Sequence, residues 1–465
     1  MPRTALLLAA TLAPAILSLL LGLTGTSLRT GRLDPLDWLW PGAAGIILGA
    51  ILLTRAARAG QGDRAEAAPA RLRWPTVAAL WAVVSLPPLC LIGLASVRLP
   101  WAGMIALAAG LAIVGSLWAL VAGRSRRVRL GSALALCAGA VLVVTWAVPA
   151  IRKASQSATA GDRPSVALFS ALPLHDVALG AAHGLPAAQS IGLRSPLLRA
   201  LDLHVALHPL DALNNQSLAG HEAVLLAQPR AMAPEELVAL DRWVRAGGRA
   251  VVLADPLLLW PDPRPLVHPG RPPLTSLLDP LLAHWGVRLE AAEFGAQSNS
   301  DNHRHGGEAS DRRSLASGAL LQVAGASRFV VREPTAGCTP AEQGFIATCR
   351  LGRGQALLVA DADWIDDRLW TLASQDGADR ALRTSDAPDV LAAWLRNEPV
   401  SAGTFTSWVK DEAALVRGLR FALAAALVLS LLLALVVRNP RFSQLMFRTK
   451  TGHNENIRKT EDISP

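Results

Sequence analysis

Six long apolar segments are the feature that most constrains this chain. They cover residues 4–23, 38–53, 76–97, 101–122, 130–151 and 413–437. A helix needs about 20 apolar residues to cross the hydrocarbon layer of a membrane, where every backbone polar group must be satisfied internally. The 465 residues are 51% hydrophobic, which is high for a protein without membrane spans. The sequence therefore predicts a membrane domain with five transmembrane helices over residues 1–151 and a C-terminal transmembrane helix over 413–437.

Basic residues between these segments predict the orientation of the chain. They follow the second, fourth and sixth apolar segments. After the second come Arg55, Arg58, Arg64, Arg71 and Arg73, after the fourth Arg124, Arg126, Arg127 and Arg129, and after the sixth Arg438, Arg441, Arg448, Lys450, Arg458 and Lys459. Such loops face the cytoplasm by the positive-inside rule. We therefore expect residues 438–465 to be a short cytoplasmic tail and residues 160–400 to lie outside a bacterial cytoplasmic membrane, in the periplasm. A cleaved signal peptide over the first segment is an alternative that leaves this placement unchanged.

Arginine supplies nearly all of the positive charge behind the net charge of +9, and much of that arginine flanks the apolar segments. No basic helix and no interleaving of basic and aromatic residues stands out. A nucleic-acid partner is therefore not predicted.

One stretch of the outside block, residues 222–256, predicts its architecture. An apolar run over 223–227 is typical of a buried strand, and Pro234 with Glu235 and Glu236 is typical of the first turn of a helix. Gly247 and Gly248 end that helix, and a second apolar strand follows over 249–255. Two buried strands joined by a helix form the crossover unit of a parallel sheet. The sequence thus predicts an α/β domain.

Two cysteines of the outside block, Cys338 and Cys349, flank a predicted turn over 339–344. In an oxidising compartment they are candidates for a disulfide that closes this hairpin. Two unpaired thiols are the alternative.

Three aspartates are the candidate ligand-binding residues. Asp255, Asp361 and Asp363 follow predicted parallel strands, and the carboxyl ends of such strands are where α/β folds bind ligands. They could line a polar or metal-binding crevice. Turn and helix-cap chemistry explains the same residues and is the favoured interpretation.

A polar segment over 297–313 is predicted to be a mobile loop. Its His303 and His305 could bind a transition metal together with Asp301. A solvated loop is the commoner outcome for such a sequence, so no metal site is predicted there and no cofactor is predicted for the chain.

Three segments carry a family resemblance: LLAQPRAMAPEELVALDRWVRAGGRAVVLADP, LLDPLLAHWGVRLE and GRGQALLVADADWIDD. They resemble the outside domain of the GldG-like auxiliary components of ABC transport systems, over residues 164–398. The resemblance implies a flavodoxin-like or class I glutamine-amidotransferase-like α/β fold. It also implies an ABC permease and a separate ATPase subunit as partners.

The motifs of several enzyme classes are absent. No lysine follows a glycine, which excludes a phosphate-binding loop of the transport ATPases. The turn after the 223–227 strand carries Gln228 and Pro229 where an amidotransferase needs its cysteine nucleophile. G-x-S-x-G and H-E-x-x-H are also missing.

These observations predict a non-enzymatic accessory membrane component of an ABC-type transport or export system, whose outside domain binds a substrate or an envelope partner. One alternative is an envelope hydrolase that uses the three aspartates. Another is a membrane-tethered sensor or scaffold. The transported substance and the oligomeric state stay open.

Overall fold

A computed structural model describes residues 3–59, 71–72, 74–121, 135, 139, 163–175, 189, 192–262, 264–291, 303–305, 308–325, 327–332, 337–372, 382–401, 403, 405–438 and 447–448. Numbered along the chain, its helices are α1 Arg3–Leu23, α2 Ser27–Thr30, α3 Leu39–Ala59, α4 Trp74–Ala95, α5 Trp101–Val121, α6 Pro196–Leu201, α7 Pro234–Arg245, α8 Asp279–His284, α9 Asp367–Trp370, α10 Ala387–Arg396 and α11 Glu412–Arg438. Three 3-10 helices cover Pro35–Trp38, Glu342–Gly344 and Asp363–Ile365.

The strands are likewise numbered along the chain. They are β1 Arg32–Leu33, β2 Arg71–Leu72, β3 Ser165–Ser170, β4 Ala206–Pro209, β5 Ala223–Ala227, β6 Arg249–Leu253, β7 Val287–Glu290, β8 His303–His305, β9 Glu308–Ser314, β10 Leu320–Val323, β11 Arg328–Val331, β12 Cys338–Ala341, β13 Ile346–Leu351, β14 Gly354–Val359, β15 Thr371–Leu372, β16 Leu382–Arg383, β17 Ser407–Trp408 and β18 Phe447–Arg448.

Five described helices are long and apolar enough to cross a membrane. These candidate spans are Thr4–Leu23, Pro35–Ala56, Trp74–Ala95, Trp101–Leu120 and Glu412–Arg438. They match five of the six predicted segments. The remaining segment, residues 130–151, and nearly all of the predicted tail lie outside the described residues.

The chain divides into two compact units. One combines Met1–Lys153 with Gly403–Pro465 and contains all five candidate spans, and the other is Ala154–Ala402. We call the first the helical unit and the second the α/β unit.

Helix α11 packs in the helical unit through its small residues. Its small buried residues recur every fourth residue and are Ala414, Gly418, Ala422, Ala426, Ser430 and Ala434, while Leu433 and Val437 are buried near its end. At Gly418 the helix meets α4, where an added Cβ would already lie 3.1 Å from the Leu91 carbonyl oxygen. Small residues let two helix backbones approach closely, which is how helices associate where water supplies no driving force.

A seven-stranded sheet forms the centre of the α/β unit, in the order β12-β13-β14-β6-β5-β3-β4. β4, β3, β5, β6 and β14 are parallel, whereas β13 and β12 join antiparallel at one edge. β5, α7 and β6 lie where the sequence predicts a crossover unit. Helices cover both faces, with α7 and α8 against one apolar core and α6 and α10 against the other. Burial on both faces explains why β5 is uniformly apolar.

The prediction of a loop over 297–313 is wrong for its described residues, 303–305 and 308–313, which all lie in strands. β9 pairs antiparallel with β10 and also with β8, forming a three-stranded sheet. The β9 residues Asp311, Arg312 and Arg313 are exposed or half-buried. A strand whose side chains are mainly polar lacks the apolar alternation that identifies strands in a sequence.

Candidate functional site

Two neighbouring parallel strands bring the three aspartates to one place. β6 and β14 are paired, with Leu253 opposite Val359. Asp255 and Asp361 each stand two residues beyond the end of their strand, and Asp363 opens a 3-10 helix. One carboxylate oxygen from each aspartate lies within 4.8 Å of those of the other two. We call Asp255, Asp361 and Asp363 the aspartate cluster.

All three carboxyl groups of the cluster are buried. The exposed fraction is 0% for Asp255 and Asp361 and 2% for Asp363. Asp255 accepts hydrogen bonds from the backbone NH of Leu257 at 2.8 Å and from that of Ala362 at 3.1 Å. It thereby ties the loop after β6 to the turn after β14.

Asp361 and Asp363 also face backbone donors. Asp361 accepts from the NH groups of Asp363 at 2.6 Å, Trp364 at 3.2 Å and Ala324 at 3.3 Å. Asp363 accepts at Oδ2 from the NH of Leu259 at 2.8 Å, while its buried Oδ1 has no hydrogen-bond partner. The cluster therefore joins three loops at the carboxyl edge of the sheet, and one of its carboxylate oxygens, Asp363 Oδ1, accepts no hydrogen bond.

Burial dominates the electrostatics of the cluster. It raises the pKa of all three carboxyls, because an ionised group loses its hydration there. The negative charges of Asp255 and Asp363 raise the pKa of Asp361 further, and that of Asp255 helps to raise the pKa of Asp363 to about 8. The side chains of Asp255 and Asp363 also interact directly, and this interaction contributes to the raised pKa of Asp363.

One guanidinium, that of Arg313 on β9, interacts electrostatically with Asp361. Burial lowers the pKa of Arg313, and the charges of Asp311 and Asp361 oppose that effect. The guanidinium carbon lies 4.5 Å from the centre of the Phe345 ring. Arg313 thus brings one positive charge toward the cluster without a direct ion pair among the described residues.

The turn after β5, where a nucleophile would stand in an amidotransferase, is occupied by a structural residue. Gln228 is fully buried and has a left-handed backbone with φ of 42°. Its amide Nε2 donates to the backbone oxygens of Asp255 at 3.0 Å and Pro273 at 3.1 Å. The amide therefore holds the same loop that carries Asp255. Sequence reasoning did not identify this role, since nothing in a Gln-Pro pair indicates a positive φ.

Glu236 is a second position whose role the sequence did not show. It is 8% exposed and accepts from the backbone NH groups of Ala233 and Leu213 at 2.9 and 3.1 Å. Both terminal nitrogens of Arg230 donate to it at 3.0 Å. Burial alone would raise the pKa of Glu236, but Arg230 and these backbone NH groups hold it below the ordinary value.

The two cysteines of the outside block form a disulfide in the structure. Cys338 and Cys349 are directly opposite each other on β12 and β13, with Cα atoms 3.9 Å apart. Both side chains are buried. The bond closes the hairpin at the antiparallel edge of the sheet.

His303 and His305 both lie on β8. Asp301, their third predicted ligand, lies outside the described residues. The described residues therefore do not test this predicted set of ligands.

Residues 177–304 match the family model described as an ABC-type uncharacterized transport system. This match confirms the resemblance to the auxiliary components of such systems and, with the five apolar helices, identifies the chain as similar to a membrane-associated transport component. No curated protein matches the chain.

Several solved structures show a distant likeness. An exo-β-1,4-mannosidase from an Opitutaceae bacterium is 14% identical over 50% of this chain and 35% of its own, with a TM-score of 0.26. A β-galactosidase from Bacillus circulans is 13% identical over 44% and 29%, with a TM-score of 0.24. A cytoplasmic protein from Salmonella typhimurium is 8% identical over 51% and 100%, with a TM-score of 0.28. This chain thus spans about a third of the two glycosidases, and scores this low carry no argument about activity.

Proposed function

We propose that this protein is a non-catalytic accessory component of an ABC-type transport or export system in a bacterial cytoplasmic membrane. Its α/β unit faces the periplasm and binds a substrate or an envelope partner. The observation that carries this proposal is the family match over residues 177–304 in a chain that also has five candidate spans. A separate ATPase subunit supplies the energy, because no lysine follows a glycine in the sequence.

The strand order of the α/β unit supports a flavodoxin-like fold. Along the sheet, its five parallel strands run second, first, third, fourth and fifth in chain order. That is the flavodoxin order, in which ligands bind where neighbouring connections diverge between the first and third strands. In this chain that place lies between β3 and β5, next to Gln228. We expect the substrate or partner to bind at this edge.

The geometry favours a binding role over hydrolysis. Carboxyl groups that are 0–2% exposed and bonded to backbone NH groups have no route to a substrate. Gln228 supplies neither a nucleophile nor a base. The aspartate cluster therefore supports a structural role better than the hydrolase alternative.

Cysteine labelling tests the placement of the α/β unit. Val267 is 92% exposed, so we expect Val267→Cys, in a Cys90→Ala, Cys137→Ala background, to react with a membrane-impermeant maleimide in intact spheroplasts. The matched control is Arg55→Cys, at an exposed position of the predicted cytoplasmic side, which should react only after permeabilisation. The reverse pattern would place the α/β unit in the cytoplasm and end the proposal.

Photo-crosslinking in native membranes tests the partners. A crosslinking amino acid at Val428, 53% exposed on α11, should capture a permease subunit if this face docks on one. At Ala426, which is fully buried on α11, only an intramolecular product is expected. Gentle detergent purification should recover the permease and the ATPase together with the chain. Failure to recover either subunit by both methods would overturn the transport role.

A further inference from the structure

When its carboxyls are ionised, the aspartate cluster carries more negative charge than the nearby protein groups balance. Three carboxylates lie together, and Arg313 brings one positive charge toward them. The ionised cluster with Arg313 therefore has a charge of two negative units. Burying such charge without compensation is costly.

We propose that Asp255, Asp361 and Asp363 bind a hard divalent cation of the calcium type. Carboxylate oxygens are the ligands that such ions prefer, at 2.3–2.6 Å for Ca²⁺. Two oxygens on the same ion are then separated by at most about 5 Å. The cluster meets this limit, since one oxygen of each aspartate lies within 4.8 Å of the others.

The unused oxygen of Asp363 is the independent observation that points to a ligand. The Asp363 residue is 98% buried, yet its Oδ1 has no hydrogen-bond partner. The other carboxylate oxygen, Oδ2, accepts from the NH of Leu259. Unsatisfied buried oxygens are uncommon in folded proteins and call for a partner. A cation between Asp363 and Asp255 would satisfy it and neutralise the cluster at the same time.

Calcium fits the surroundings better than magnesium. Mg²⁺ usually keeps several of its waters, whereas all three ligands here are shielded from solvent. Backbone NH groups already orient the carboxylates, so the ion meets a partly ordered set of ligands. The bound ion would fasten the loops that contain Leu257, Leu259 and Ala324 to one another. This inference does not depend on the transport role.

Thermal unfolding and terbium luminescence test the site on the full-length protein in detergent. After treatment with EDTA, 1 mM Ca²⁺ should raise Tm by about 5 °C, as expected when an ion binds only the folded state. Tb³⁺, which replaces Ca²⁺, should luminesce on excitation of tryptophan, because Trp364 adjoins Asp363 in the chain. Trp364→Phe should weaken that signal several-fold and keep the Ca²⁺ effect on Tm.

Asp363→Asn should abolish both the shift in Tm and the Tb³⁺ signal. The matched control Asp389→Asn changes a carboxylate whose side chain is 48% exposed, and it should behave like the wild type. The competing account is that the carboxyls share protons. In that case Ca²⁺ leaves Tm unchanged, Asp363→Asn raises Tm, and the cation proposal is overturned. A Ca²⁺ shift that survives in Asp363→Asn overturns it as well.

Discussion

The side-chain amide of Gln228 pairs with the backbone of Asp255 as a neighbouring strand would. Nε2 donates to the Asp255 oxygen at 3.0 Å, and Oε1 accepts from the Asp255 NH at 2.9 Å. Gln228 follows β5 and Asp255 follows β6. The two hydrogen bonds between them therefore continue the pairing of these parallel strands beyond the last bonds between their backbones. The left-handed backbone of Gln228, which costs about 1–2 kcal/mol in a residue with a Cβ, is what turns its side chain into this position.

Gln228→Ala is expected to lower the free energy of unfolding of the α/β unit by about 1–3 kcal/mol, because the buried NH of Asp255 loses its acceptor. Chemical denaturation followed by tryptophan fluorescence measures the change. Gln343 is also left-handed, with φ of 60°, but exposed. Gln343→Ala should therefore change stability by less than about 0.5 kcal/mol. Equal effects of the two variants would show that the amide pairing contributes nothing.

Glu236→Ala is expected to destabilise the α/β unit by about 2–3 kcal/mol. It removes a buried carboxylate that accepts from Leu213, Ala233 and Arg230, and hydrogen bonds to charged groups are the stronger ones. Glu235, the exposed neighbour on the same helical turn, supplies the control, because Glu235→Ala should have little effect. Denaturant midpoints of the two variants that coincide would contradict the role of Glu236.

Loss of the disulfide between Cys338 and Cys349 is expected to cost about 2–3 kcal/mol. The bond closes a short loop, with a sequence separation of 11, and restricts the unfolded chain. A Cys338→Ser, Cys349→Ser double variant compared with the wild type by thermal unfolding measures this effect. Alkylation of acid-quenched, denatured cells should leave both wild-type cysteines unlabelled, as the proposed periplasmic location requires. Free thiols in whole cells would argue against that compartment.

Gly103→Ala is expected to disturb the helical unit. A Cβ at Gly103 would lie 2.4 Å from the Phe405 carbonyl oxygen and 2.9 Å from Pro35 Cγ, so the segment before β17 must move. Gly93 offers a control in α4, since a Cβ there meets nothing closer than 3.9 Å. We expect fluorescence-detected size-exclusion chromatography after heating to show a lower Tm for Gly103→Ala only. A normal Tm for Gly103→Ala would mean that the approach of Phe405 is not a tight constraint.

The sequence predicts the centre of the α/β unit well and its edges poorly. β5, α7 and β6 have strong local signals, because an apolar run, Pro234 and the Gly247–Gly248 pair each restrict the backbone. β4 was missed, since it is short, partly exposed and ends in Pro209. The meeting of the aspartates could be predicted from strand ends alone. The roles of Gln228 and Glu236 could not, because they depend on contacts with residues 27 and 23 positions away, respectively.

A half-buried carboxyl of α9, that of Asp367, predicts how stability depends on pH. Asp367 accepts from the NH of Leu197, and burial, followed by the charge of Asp366, raises its pKa to about 7. The folded chain therefore holds this proton more tightly than the unfolded chain, whose value is near 3.8. This contribution to stability is complete below pH 4 and is lost as pH rises through about 7.

Asp367→Asn, which keeps an acceptor for Leu197, should reduce the decline in stability between pH 4 and 7 by up to about 1.4 kcal/mol per pH unit. Unfolding measured across this range in EDTA, with the exposed Asp389→Asn as control, checks the slope, and an unchanged slope in Asp367→Asn would show that another group binds the proton.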